Sequence, residues 1–115
     1  MVIDDDVDIR ETIQDLLELR GFQVLVAGDG ARAIDELKRG AEPKVILLDL
    51  MMPGLSGEDF RAQQLADARL AKIPVVVLSG ARGVDEAARR MGVESLPKPL
   101  ELDQLLKTVN RFCER

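Results

Sequence analysis

The chain has no histidine, no tryptophan and no tyrosine, and a single cysteine. Without histidine there can be no imidazole acid–base catalysis, no histidine metal ligand and no phosphohistidine carried by this chain. Cys113 has no internal disulfide partner, which fits a reducing compartment, and we expect a cytoplasmic protein. Three phenylalanines are the whole aromatic complement, too few for a platform on which nucleic-acid bases stack. The net charge is -5, so a basic stripe for phosphate backbones is missing as well. No apolar run approaches the ~20 residues that span a bilayer. The opening residues lack the basic, apolar and small-residue series of a signal peptide. Neither nucleic acid nor membrane is therefore expected as a partner.

What is present is ordinary for a globular domain: 115 residues, 46% apolar and 32% charged, read as one domain over 1–115. Helix-period and strand-like segments alternate, which favours an α/β fold with a parallel sheet and helices on both faces. Met1–Ile3 is a first strand, followed by a helix with Ile9, Ile13, Leu16 and Leu17 on one stripe and Gly21 as its stop. Phe22–Ala27 reads as a second strand, and Ala33, Ile34 and Leu37 mark a second helix ending near Gly40 and Pro43. Val45–Leu48 is short, apolar and β-branched at its start, as a strand buried on both faces should be. After a loop with Pro53, Gly54 and Gly57, a weaker helix from about Glu58 to Ala66 carries Phe60 and Leu65. Pro74 opens a fourth strand, a short helix covers Val84–Met91, a brief edge strand surrounds Ser95, and Leu102 to Phe112 forms a last helix. The first strand is shorter than the usual ~5–6 residues, so the natural chain is expected to start a few residues upstream. After Phe112 only three residues remain, so no output domain is expected within these residues.

Four of these strands end on chemistry. Met1–Ile3 runs into Asp4-Asp5-Asp6, Val45–Leu48 into Asp49, Val75–Leu78 into Ser79, and Ser95–Pro97 into Lys98-Pro99. In a parallel sheet, ends of one kind lie along one edge. That edge would gather acids, a hydroxyl and an ammonium, a set suited to a divalent cation and a phosphoryl group. Asp6 is best read as a helix cap. Asp4 and Asp5 are adjacent acids at a buried strand end, whose repulsion a cation such as Mg²⁺ relieves. Asp49 ends the most apolar strand, where burial disfavours its charge unless a cation or donor is close. An ionised carboxylate beside a metal can attack an activated phosphoryl group. Lys98 stands between two prolines, and a cis bond before Pro99 would aim its ammonium at the acids. Each residue also has a plainer use: turn for Ser79, surface lysine for Lys98, packing for Met51-Met52, a small apolar residue for Cys113, a solvated helix face for Arg89-Arg90.

Taken together, Asp4-Asp5 after a strand, Asp49 with Met52-Pro53 and Gly57, Ser79, and Lys98-Pro99 resemble the receiver domain of two-component response regulators. The likeness covers essentially the whole chain. It implies a doubly wound, five-stranded parallel sheet of order 2-1-3-4-5, like that of the chemotaxis regulators (flavodoxin-like). It implies Asp49 as phosphoacceptor, Asp4 and Asp5 as the pair that holds Mg²⁺ with Asp5 the direct ligand, and Met51 as the donor of a backbone carbonyl. Ser79 corresponds to the switch hydroxyl and Lys98 to the lysine that pairs with the phosphoryl group. The implied donor is the phosphohistidine of a sensor histidine kinase or phosphotransfer protein, and the implied output is a population shift read by a downstream protein. Such a domain catalyses its own phosphorylation and dephosphorylation without being an enzyme in the ordinary sense. A pseudo-receiver acting as a constitutive interaction module is the alternative; a Mg²⁺-dependent hydrolase would need a substrate-capping region for which the chain has no room.

Three positions depart from the family pattern. Ser95 stands where many receivers carry an aromatic residue on the fifth strand. The Ser79–Lys98 interval is shorter than usual by about three residues, a little under one helical turn. Met51 and Ala81 occupy the two positions that tune hydrolysis, and neither side chain can hold a water by hydrogen bonding. Slow autodephosphorylation is the expected consequence.

Overall fold

In the computed structural model, residues 1–50, 56–79 and 84–113 are described, with Ser79, Val84 and Asp85 described through their backbone only. The expectations placed on Met51, Met52, Pro53, Gly54 and Ala81, and on the Ser79 hydroxyl, lie outside the described residues. Five strands and five α-helices alternate: β1 Val2–Ile3, α1 Val7–Leu19, β2 Val26–Ala27, α2 Gly30–Lys38, β3 Ile46–Asp49, α3 Gly57–Leu65, β4 Val75–Ser79, α4 Val84–Met91, β5 Glu94–Pro97 and α5 Leu102–Cys113. A 3₁₀ turn at Leu70–Lys72 precedes β4. All pairings are parallel and the order is β2-β1-β3-β4-β5. The resemblance implied this order.

The sheet is covered on both sides: its central strands are apolar almost throughout, and successive side chains point to opposite faces. Ile46 and Leu48 of β3 face one core with Ile34, Leu37, Phe60 and Leu70. Leu47 faces the other with Ile13, Leu17, Leu105 and Val109. Helices α2 and α3 thus cover one face of β3, and α1 and α5 the other. Ala88 of α4 packs on Val77. Each fully buried large side chain contributes roughly 1.5–3 kcal/mol relative to exposure.

Local signals set the helix ends. Asp6 caps α1, accepting from the Asp8 and Ile9 amides, and Asp29 and Ser56 cap α2 and α3 in the same way. Gly21 follows α1 with φ +89°, a left-handed turn that glycine adopts without strain.

Two expectations need correction. The second strand is confined to Val26–Ala27, because β1 pairs it only at Val2↔Val26 and Ile3↔Ala27. An edge strand with one neighbour ends where that neighbour's ladder ends. Leu65 does not reach the core; it is exposed, and Gln64 is fully buried in its place. The Gln64 amide donates to the Leu70 and Ile73 carbonyls at 2.9 Å each, and its oxygen accepts from Arg61.

Arg69 ties the same region to the end of α2. Its guanidinium donates to the Leu37 and Ala41 carbonyls and lies 3.9 Å from Glu42. A cation at a helix C-terminus satisfies carbonyls that the helix leaves unpaired. Arg69→Ala is expected to lower stability by about 1 kcal/mol, read as a shift in the urea midpoint at unchanged slope.

Candidate functional site

The parallel order places the ends of β1, β3, β4 and β5 along one edge. Asp4 follows β1 directly, Asp49 closes β3, Ser79 closes β4, and Lys98 follows β5. The register sets Asp49 beside Leu78 and Ser79 beside Pro97, so the ends are level. The Lys98–Pro99 bond is cis, as the sequence allowed.

Three carboxylates converge. Asp4, Asp5 and Asp49 each offer an oxygen, and these atoms lie within 4.8 Å of one another. Asp4 is 0% exposed and Asp49 5%, whereas Asp5 is open to solvent. Lys98 Nζ is 3.3 Å from Asp4 Oδ2 and 3.7 Å from Asp49 Oδ2. Asp4 Oδ1 accepts from the Asp6 amide at 2.9 Å. Burial pushes the Asp4 carboxyl above its ordinary value, and the Asp49 charge acts in the same direction; the Asp6 amide and Lys98 oppose both.

This arrangement answers whether the residues suit a cation. Three carboxylates, two of them buried, lie together with the Lys98 ammonium against Asp4 and Asp49, so the clustered side-chain donors are all hard oxygens. Mg²⁺ takes such ligands, with one or two carboxylates and the remaining positions left to water and phosphate. The open side of the cluster is Asp5, which gives an approach from solvent.

Gly57 explains its place in the motif by a close approach. A Cβ there would lie 2.9 Å from Leu50 Cα and 2.2 Å from its Cδ2, and Leu50 directly follows Asp49. Gly57→Ala is expected to cost about 2 kcal/mol, because backbone must move to admit the methyl group. Thermal melts check the cost. Displaced amide resonances at Asp49 and Leu50 would show that the movement reaches the site.

The structure therefore brings together Asp4, Asp5, Asp49 and Lys98, and aligns the backbone of Ser79 with them. Asp6 serves as a cap. Ser95 is exposed on β5, and Arg89 and Arg90 lie on the exposed side of α4. Arg10 was not anticipated: its Nη1 donates to the Asp4 carbonyl at 3.0 Å. Its spacing, one helical turn after the Asp6 cap, is the signal that could have found it.

A doubly wound parallel domain with an acid cluster and a lysine at its strand ends defines a narrow class. The response regulator receiver domain model matches residues 1–110, and the chain belongs to that family. Over 113 residues the chain is 34% identical to Protein PilH of Pseudomonas aeruginosa, covering 96% of this chain and 93% of that protein. It is 35% identical over 121 residues to the transcriptional regulatory protein CpxR homolog of Haemophilus influenzae, covering 100% of this chain. The chain spans 50% of the length of that relative. Among solved structures, a response regulator receiver protein from Pseudomonas putida superposes with a TM-score of 0.86 at 32% identity, covering 96% of this chain and 93% of that one. The protein is thus a receiver domain of two-component signalling, with an acidic cluster of the kind through which such domains bind Mg²⁺. Among the described residues, no helix is long and apolar enough to cross a membrane.

Proposed function

We propose that this receiver accepts a phosphoryl group on Asp49 from the phosphohistidine of a sensor histidine kinase or a histidine phosphotransfer protein. The observation that supports it best is the buried Asp49 carboxylate lying within reach of both Lys98 and the Asp4–Asp5 pair. Asp4, Asp5 and Asp49, with the Met51 carbonyl, would hold Mg²⁺, which supplies charge neutralisation for the incoming phosphoryl oxygens. An Asp49 carboxylate oxygen attacks phosphorus, the new O–P bond forms, and the P–N bond to the donor imidazole breaks. Lys98 then exchanges part of its contact with Asp4 and Asp49 for a phosphoryl oxygen, and the Ser79 hydroxyl donates to another. The new contacts favour one of two conformations, and a downstream protein reads the difference. Water later cleaves the O–P bond, releasing inorganic phosphate and restoring the carboxylate. Because the donor histidine must come from another protein, the absence of histidine here accords with this division of labour. The reaction belongs in the cytoplasm, where kinases of this kind draw on ATP.

The test is incubation with acetyl phosphate and Mg²⁺, read by intact mass. One added phosphoryl group, dependent on Mg²⁺, is the expected result; no adduct and no change in amide spectra would defeat the phosphorylation reading. The acyl phosphate is also expected to persist for minutes or longer, because Met51 and Ala81 provide no side chain to hold the attacking water. Decay within seconds at room temperature after donor removal would contradict that.

A further inference from the structure

Of the three clustered acids, Asp5 has the least visible restraint. Asp4 is buried and bonded to the Asp6 amide, and Asp49 is held in β3. Asp5 is exposed, sits in the bend between β1 and α1, and depends for its direction on the Asp4–Asp5 peptide. One side of that peptide is held by Arg10. The Arg10 amide donates to the Asp6 carbonyl at 3.0 Å, as part of the first turn of α1. Its side chain leans back toward the helix N-terminus, as helical side chains do, and Nη1 reaches the Asp4 carbonyl at 3.0 Å. The Asp4 amide in turn donates to the Ala27 carbonyl at 3.2 Å.

Gly28 completes the device. It follows Ala27 at the end of β2, and a Cβ there would lie 2.9 Å from Arg10 Nη1. Its φ is outside the left-handed region, so its backbone makes no demand for glycine. A side chain there would enter the space taken by the guanidinium, which would have to swing aside.

We propose that Arg10 is a positioning residue for the acidic pair: by holding the Asp4 carbonyl with a guanidinium that lies over Gly28, it sets the Asp4–Asp5 peptide plane and hence how Asp5 is presented to a divalent cation. This rests on the reading of the cluster as a cation site. Removing a group that orients a ligand without touching the metal commonly weakens metal affinity about 10–100-fold.

The test compares wild type, Arg10→Ala, Gly28→Ala and the double variant, with Mg²⁺ titrations followed through amide resonances and a thermal melt for each. Arg10→Ala is expected to weaken Mg²⁺ binding about tenfold. Gly28→Ala, which keeps the arginine but displaces it, should weaken binding in the same direction. The double variant should bind no more weakly than Arg10→Ala alone, because the added methyl group then has nothing to displace. In the metal-free proteins, the Asp5 amide resonance should move in both single variants. Unchanged Mg²⁺ affinity in either folded single variant, or additive losses in the double variant, would overturn the proposal. Should Arg10→Ala fail to fold, Gly28→Ala and Arg10→Lys carry the same comparison. If wild type itself bound no Mg²⁺, the cation reading would fail instead, and an unmoved Asp5 amide in the metal-free variants would still reject the role of Arg10.

Discussion

Asp49→Asn is expected to carry no phosphoryl group after incubation with Mg²⁺ and acetyl phosphate, under conditions that label the wild type fully. The amide has the shape of the carboxylate but neither its charge nor its nucleophilic oxygen pair, so the attack on phosphorus is lost rather than slowed. The loss should be total within detection by intact mass. Two controls separate this from misfolding. The far-ultraviolet circular dichroism of the variant should match the wild type, since Asp49 is one residue at the end of a strand whose other members are apolar and unchanged. If Mg²⁺ binds at the cluster as proposed, the stabilisation it gives the wild type, about 2.7 kcal/mol at a hundredfold excess over its dissociation constant, should shrink when Asp49 is replaced. A variant that labels as well as the wild type would place the acceptor elsewhere.

Gln64→Leu is expected to destabilise the domain by about 2 kcal/mol, although it replaces a polar residue in the core with an apolar one of similar size. The side chain is 0% exposed, and its amide supplies bonds to the carbonyls of Leu70, which opens the 3₁₀ turn, and Ile73, which follows it. Leucine would take that donor from the part-buried Ile73 carbonyl and leave the buried Leu70 carbonyl with only the Ile73 amide, at roughly 1–3 kcal/mol for the two together. It would also remove the acceptor for Arg61, whose Nε is already buried without a partner among the described residues and whose guanidinium burial lowers its pKa. The gain from the apolar side chain offsets only part of this. Equilibrium urea unfolding measures the effect, and a variant as stable as the wild type would show that the turn finds other partners. Because this turn leads through Pro74 into β4, loosening it should also speed hydrogen exchange at Val75 and Val76.

The central elements were legible because their signals are local. β3 is a run of apolar residues with polar neighbours, α4 was expected over Val84–Met91 and lies there, and the Asp6 cap follows from residue type alone. The acid and lysine positions were legible as residues at strand ends, and their common edge followed once the strands were taken as parallel. Other features were not local. Phe22–Leu25 has strand-like composition, yet a strand requires a partner, and β1 supplies one only opposite Val26 and Ala27. Leu65 and Gln64 are neighbours on α3, and hydrophobicity favoured the wrong one. The four-residue step from Phe60 to Gln64 puts both on one face, but a glutamine is worth burying only where carbonyls await it. Those carbonyls belong to Leu70 and Ile73, beyond the helix.

By itself the sequence determined the order of elements, the apolar faces that bury the sheet, the Asp6 cap, and which residues could do chemistry at the strand ends, because these depend on residue type and short-range spacing. Only the tertiary structure decided distances and companions: Lys98 against both Asp4 and Asp49 across 94 and 49 residues of chain, Gly57 against Leu50, Arg69 on the end of α2, and Arg10 on the Asp4 carbonyl over Gly28. Such contacts arise when separate helices and strands are packed against one another, and they follow from shape and unpaired hydrogen-bonding groups that no local window of sequence contains.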